Sequence, residues 1–261
     1  MNLHTCTTDI PRFRSASDAA RVQMLAEFGE PFLLAAWVDV LMMHLEVDRA
    51  ALQRVTPFPL DLFEGRAFVS LVAFTMRRMR PRLGGRLGAW LFQPIATHPF
   101  LNVRTYVRHR DEAGIHFLTE WVPNPWSLRL GPRSFGLPYR LAKLDYRQTF
   151  DDEPRDFSGT VIDASGASFI YEGRQPTRHY APCVEGSLEA WLMERYIAFT
   201  HHRGISRYFR VWHPPWQRTV VDVTIQNQSL LNQNWPWLAA AQLVSASGSP
   251  GFEDIWMGRP R

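Results

Sequence analysis

The sequence predicts a mostly β protein of the α+β class: an antiparallel barrel with peripheral helices, one of them long and lying near residues 187–202. Three observations predict it. Residues 100–109 alternate at period two, and after the turn signal Asp111–Gly114 a second run, Ile115–Trp121, returns as the other arm of a hairpin. Helical periodicity is scarce, and its one strong instance is Ser187–His202, where Leu188, Trp191, Leu192, Arg195, Tyr196 and Phe199 form a stripe. Ten tryptophans and a 13% aromatic share suit strands, or a cavity walled by rings. Many antiparallel strands with few helices manage their edges by closing on themselves.

Taken in order, residues 1–28 read as an N-terminal extension and 29–261 as a single domain, with no internal repeat and no clear linker. Within the extension Ser17–Phe28 has a short helical pattern, with Ser17 as its cap and Gly29 and Pro31 ending it. From Asp61 the chain turns to strands. Gly65 makes a hairpin turn, and Ala67–Phe74 is an apolar run too short for a typical helix. The 100–121 hairpin is followed by a short helix over Pro125–Phe135 and a strand over Pro138–Gln148. A hairpin follows at Gly159–Asp163 and Ser168–Glu172, turning at Ala164-Ser165-Gly166. In the long helix Glu189 lies near the positive N-terminus, and His201, His202 and Arg203 cap the C-terminal end before Gly204. Strands at Ser206–Val211 and Arg218–Ile225 complete the pattern.

Composition bounds the function classes. A chain of 261 residues, 46% hydrophobic and 21% charged, can bury a substantial core and is not disordered. The net charge of +4 comes almost wholly from arginine, since Lys143 is the only lysine, so genome composition explains it better than phosphate binding. The densest cluster (Arg77, Arg78, Arg80, Arg82, Arg86) reads as a solvated hairpin or loop without aromatic interleaving, and no nucleic-acid partner is expected. The two cysteines, Cys6 and Cys183, fit a reducing compartment and neither a disulfide framework nor a zinc site. The longest apolar stretch, Pro31–Leu45, is interrupted by Asp39 and His44 and is too short to span a bilayer. The expectation is a cytoplasmic protein with no membrane partner, no metal and no cofactor; a homo-oligomer is compatible with the sequence.

Arg104 heads the candidate site residues. It shares a strand face with Phe100, Asn102 and Tyr106, while Leu101, Val103, Thr105 and Val107 form the other face. If the aliphatic face packs on an outer layer, Arg104 enters the interior and offers a fork of donors to a carboxylate or enolate. Alternation alone favours the other reading, in which the aliphatic face is the core and the polar face is wet. Tyr139, at the strand entry shaped by Gly136-Leu137-Pro138, offers a phenol to a ligand oxygen. Lys143, beside Asp145, reads as a surface pair. No phosphate loop, no Gly-x-Ser-x-Gly and no usable Cys/His/Asp set is present, and the histidines lack metal-ligand spacing.

Several motifs stand in order along the chain: Trp37 with His44, Asn102-Val103-Arg104-Thr105-Tyr106-Val107, Gly136-Leu137-Pro138-Tyr139-Arg140-Leu141-Ala142, Gly186-Ser187-Leu188-Glu189-Ala190, Glu194-Arg195-Tyr196 and His213-Pro214-Pro215-Trp216. Together, over roughly 37–225, they resemble the YqjF-like family of unknown function, itself similar in fold to acetoacetate decarboxylase. The resemblance implies a barrel with an enclosed cavity, turns the Arg104 face inward, and brings Trp37 or His44 to that cavity. In the decarboxylase the turn reads Gly-x-Pro-Lys-Lys and its first lysine forms a Schiff base; Tyr139 and Arg140 occupy those two places here. Many relatives carry a glutamate two residues before the asparagine, where this chain has Phe100; Glu120 is the candidate substitute acid. His213–Trp216 is expected to be a rigid turn planting Trp216 in the core.

The first functional expectation is binding of a small anionic or carbonyl-bearing molecule through Arg104, Asn102, Tyr106, Tyr139, Glu120 and His44, with no catalytic residue named. The alternative is a lyase, cyclase or decarboxylase-like enzyme without a Schiff base, acting on a keto acid or polyketide-like substrate. A third class is a nucleic-acid or protein-interaction module using the Arg77–Arg86 segment.

Overall fold

The computed structural model describes residues 15–148 and 154–261. In chain order its elements are α1 (Ala16–Leu25), β1 (Leu33–Val47), α2 (Arg49–Val55), β2 (Ala67–Pro81), α3 (Gly85–Phe92), β3 (His98–His109), β4 (Glu112–Val122), α4 (Pro125–Phe135) and β5 (Tyr139–Gln148). They continue with β6 (Arg155–Asp163), β7 (Ser168–Gln175), β8 (Ala181–Pro182), α5 (Leu188–Met193), β9 (Ile197–His202), β10 (Ile205–Trp212), β11 (Gln217–Val220), β12 (Asp222–Asn227), α6 (Ser229–Asn234) and β13 (Gln242–Met257).

The strands form one sheet in the order β12-β7-β6-β5-β4-β3-β2-β1-β13-β10-β9, and β9 returns to pair with β4. Seven strands from β4 round to β9 thus make a hydrogen-bonded ring, and β5, β6, β7 and β12 extend the sheet away from it. The mostly β class is as expected, but the sheet is mixed, not purely antiparallel. Pairs β4–β5 and β4–β9 are parallel. Both exceptions have a topological cause. Helix α4 carries the chain from β4 across to β5, and a crossover delivers a parallel neighbour. The other six pairs around the ring are antiparallel, so a ring with an odd number of strands must close on one parallel pair.

The ring wall is apolar on both faces, which is why β2 reads as an unbroken hydrophobic run. Met42, Val72, Phe74, Phe100, Phe117 and Trp216 pack inside it. Leu41, Met43, Leu71, Leu101, Val103 and Trp121 pack on the outside against Val161, Phe169 and Leu230 of the extension and α6. The aliphatic face of β3 therefore meets an outer layer. The β3–β4 turn is Arg110–Asp111, both at positive φ (50° and 63°), as a two-residue hairpin requires. In β4 the register slips by one residue between Val103/Thr119 and Arg104/Phe117, leaving Leu118 as a bulge. Glu120, Phe117 and Ile115 consequently oppose the inward residues Asn102, Arg104 and Tyr106.

The long helix is a correction. Helix α5 stops after six residues, Glu194 leaves the helical region (ψ 71°), and Ile197–His202 is strand β9. The stretch carries both a helical stripe and a two-residue alternation. Strand geometry wins because it puts Ile197 and Phe199 against Phe58 and Val107 on one face and Ala198 in the ring on the other. His201 and His202 consequently cap no helix; His201 Nδ1 lies 3.0 Å from Ser206 Oγ.

Smaller corrections follow the same logic. Ser15, not Ser17, caps α1; Ser17 is buried and donates to the His213 carbonyl at 2.6 Å. The part of the N-terminal extension before residue 15, with Cys6, lies outside the described residues. Arg77–Arg86 is the end of β2 and the start of α3 rather than a loop. The 218–225 strand breaks at buried Val221 into β11 and β12, which pair with different partners. Strand β13, whose Ser-Ala-Ser-Gly-Ser-Pro-Gly centre looks like a loop, is held extended by pairing along the whole of β1.

Candidate functional site

Two cross-strand rows on the inner face of the ring build the site. One runs His44–Ser70–Arg104–Phe117 over β1, β2, β3 and β4; the other runs Met42–Val72–Asn102–Glu120–Tyr139 and reaches β5. Directly paired residues share a face, so Arg104 enters the interior beside Asn102 and Glu120. An interior cavity of roughly 90 Å³ lies there. Its polar lining is Asn102, Arg104, Glu120, Tyr139, Arg195 and His213, and its apolar wall includes Trp37, Phe74, Phe100 and Trp216.

Arg104 is buried (7% exposed), makes no ion pair among the described residues, and has only the Met42 sulfur, at 3.8 Å, against its guanidinium. Its Nε has no partner, and neither do Asn102 Oδ1, Glu120 Oε1, Arg195 Nη2 or Trp216 Nε1. Of nine such buried polar atoms among the described residues, five therefore belong to residues that line this one cavity. Native interiors rarely tolerate that concentration without something to bond.

Arg195, just beyond α5, is held differently. It donates to Asp61 Oδ2 (2.7 Å) and to the Trp191 carbonyl (2.7 Å), and its guanidinium lies 4.2 Å from the Trp191 ring centre. Glu120, half of a cross-strand pair with Asn102, has its carboxyl pushed up to about 8. Burial raises it, and the Asn102 hydrogen bond and the Arg104 charge, both pulling down, fail to offset that. The same burial raises the Tyr139 phenol well above its ordinary value, helped by Glu120 next to it. His44 is lowered to about 3, by burial first and then by Arg104 and Arg218. His213 is lowered to about 4 by burial, with Arg104 acting in the same direction and the Pro214 and Arg195 carbonyls opposing. At neutral pH both imidazoles and Glu120 are thus uncharged, Asp61 answers Arg195, and the positive charge of Arg104 stands uncompensated.

Of the residues expected at a site, Arg104, Asn102, Glu120 and Tyr139 line the cavity. His44 and Tyr106 lie behind it: His44 Nδ1 is 2.7 Å from Ser70 Oγ, which is 2.5 Å from the Tyr106 hydroxyl, so a buried polar chain backs Arg104. Trp37, rather than His44, reaches the cavity. Lys143 is exposed on β5, and Asp145 pairs with Arg147 instead of with it. Arg195 and His213 were not expected. Arg195 was concealed in the helical stripe, and His213 in a motif read only as a turn, although that turn does bury Trp216. Larger clefts of about 400 and 600 Å³ lie over β5, β6 and β7, and both include Gln148 in their lining, at the edge of the described residues. Among the described residues no cluster of His, Cys, Asp and Glu could hold a metal, and no helix is long and apolar enough to cross a membrane.

The sequence model of DUF2071, an uncharacterized conserved protein family, matches residues 34–249. The chain belongs to the DUF2071 family. It is 31% identical over 184 residues to the uncharacterized protein YqjF of Bacillus subtilis, covering 69% of this chain and 72% of that one, so the resemblance carried by the motifs is borne out. Among solved structures, an acetoacetate decarboxylase-like enzyme from Sphingomonas wittichii RW1 matches with a TM-score of 0.58 and 16% identity over 88% of this DUF2071 chain and 92% of its own. The enduracididine biosynthesis enzyme MppR complexed with pyruvate matches with a TM-score of 0.59 and 14% identity over 88% and 89%. At these identities the likeness is one of fold.

Proposed function

We propose that the cavity binds a small organic anion, a carboxylate that also bears a carbonyl, without imine chemistry. The observation that carries this reading is the buried Arg104 charge with no carboxylate of its own, in a cavity where four further polar atoms lack partners. A buried cation is costly unless paired, and a ligand carboxylate supplies the pair. Asn102, neutral Glu120 and Tyr139 stand round the remaining oxygens, and the aromatic wall accepts the carbon skeleton. A cavity of about 90 Å³ suits a handful of heavy atoms, since about 150 Å³ takes benzene. That favours a short keto acid over a polyketide-like ligand. The pyruvate in the MppR complex is of this size and chemistry. The test is native mass spectrometry of the purified protein, followed by calorimetric titration with pyruvate and acetoacetate. Arg104→Met should weaken binding by at least about thirtyfold, as truncating one partner of a buried charge pair does. Equal binding by this variant, or no binding of either acid, would refute the reading.

A second reading, an enzyme without a Schiff base, is favoured by Glu120 alone. A carboxyl held near 8 beside the cavity is a general acid poised at working pH. In that case Glu120→Gln retains the anion and loses turnover of a 2-keto or 3-keto acid followed by NMR; no turnover in the parent protein removes the reading.

A further inference from the structure

Helix α3 is built inside out. The only residue it buries is Gly88, whose missing Cβ lets it sit on β2: a methyl there would lie 3.1 Å from the Leu83 carbonyl and 3.2 Å from Pro81. Phe92 at the end of the helix turns in against the ring's inner cluster. The large apolar side chains face outward: Leu87, Trp90 and Leu91 share one helical face and are exposed by 67, 66 and 61%, and Leu83, just before the helix, is exposed by 71%. Helix α4 is tied to the same end of the molecule by the Asn124 side chain, which donates to the Pro94 carbonyl, and it adds exposed Trp126 and Leu130. Every charge in residues 77–97 and 121–144 is positive. Asp39 answers Arg77 and Glu253 answers Arg78, but exposed Arg86, Arg129 and Arg133 have no ion pair among the described residues.

We infer that this face docks the protein on an anionic lipid surface, with the Leu and Trp side chains entering the acyl boundary and the arginines meeting the headgroups. Exposed Trp and Leu framed by arginine is the composition of an interfacial anchor. A second copy meeting the same face would oppose arginine to arginine with no acid between. The side chains stand out as a ridge and line none of the cavities described above, so a protein partner would have to supply the groove. The sequence predicts no membrane partner because no stretch spans a bilayer, but peripheral docking needs no span.

Co-sedimentation of the full chain with phosphatidylcholine vesicles, with and without phosphatidylglycerol, tests the inference. The expected result is binding to the anionic vesicles only, weakened by salt, with a blue shift of tryptophan emission that Leu87→Gln/Trp90→Gln removes. Replacing Arg86, Arg129 and Arg133 with glutamine should cost about fivefold per arginine; this set leaves the apolar ridge intact and decides the matter if the double variant misfolds. Binding to neutral vesicles just as strong, or no binding at low salt, overturns the inference. So does self-association in sedimentation velocity that Leu87→Gln/Trp90→Gln abolishes, because the face would then belong to another copy of the chain.

Discussion

Arg104 shows how far one residue can be read from sequence. Alternation over Phe100–His109 put it on a face with Asn102 and Tyr106, but could not say which face of a sheet is wet. That depends on what covers the other side, here side chains such as Val161, Phe169, Val221 and Leu230, distant in the chain. Glu120 was legible only as a spare acid, because a bulge decides where it points. His213 was hidden for a different reason: its burial is set by the rings of Trp37, Tyr196, Trp216 and Phe252 packed around it. Glu120 also gives a pH signature. Its carboxyl titrates near 8 in the folded chain, against an ordinary value of 4.5. Between those values the unfolded chain releases a proton that the folded chain keeps. Stability from this group is therefore complete below 4.5 and is lost as pH rises through 8. Glu120→Gln should abolish that loss, so denaturation midpoints of parent and variant should diverge in the variant's favour from pH 5 to 8.5. A constant difference would place Glu120 in contact with water. His44 and His213 act oppositely, losing stability as pH falls below about 6.5, which is why the comparison must be with the variant. With the sole lysine exposed on β5, borohydride reduction in the presence of acetoacetate should leave the protein mass unchanged, because among the described residues no amine faces the cavity to form an imine. An adduct at Lys143, lost in Lys143→Met, would reverse this.

At the scale of elements, short-range chemistry was read well and competing periodicities were not. Helix α4 begins at Pro125 behind an Asn124 cap and ends at Gly136 in the left-handed region, all visible in the sequence. Residues 194–202 fit two periods, and only the open place between β4 and β10 selected the strand. Short as it is, α5 still positions a side chain, holding Arg195 over Trp191 while Asp61, from the segment before β2, takes the charge. Asp61→Ala should leave Arg195 buried and unpaired, costing about 3–5 kcal/mol in urea denaturation. A cost under about 1 kcal/mol would mean that Arg108, the other partner of Asp61, holds most of that carboxylate's interaction.

The whole molecule depends on a seam that sequence could not reveal, since it joins residues 83 apart in the chain through only two parallel pairs, Ile115–Ala198 and His116–Phe199. Closeness there is enforced by Gly114: a Cβ on it would lie 2.6 Å from both the carbonyl oxygen and the side chain of Ile197. Gly114→Ala should therefore part β4 from β9, lowering stability by roughly 1–3 kcal/mol and speeding amide exchange at Ala198 and Phe199 ahead of the β1–β2 pairs. Unchanged exchange at those amides would show that β10 alone keeps β9 in place.

The bulge at Leu118 works like a reading frame for β4. Downstream of it even-numbered Glu120 faces the cavity; upstream the odd-numbered Phe117 and Ile115 do. Paired straight through without the bulge, Leu118 would stand opposite Arg104, Phe117 would turn out opposite Thr105, and His116 would turn inward opposite Tyr106. Deleting Leu118 would remove the bulge alone, leaving Glu120 opposite Asn102 and Phe117 opposite Arg104. One unpaired residue, itself outside the cavity, thus decides that a phenyl ring stands beside Arg104 and that the His116 imidazole stays out of the interior. The chemistry of this interior is therefore set as much by the count of residues in the wall as by their identity.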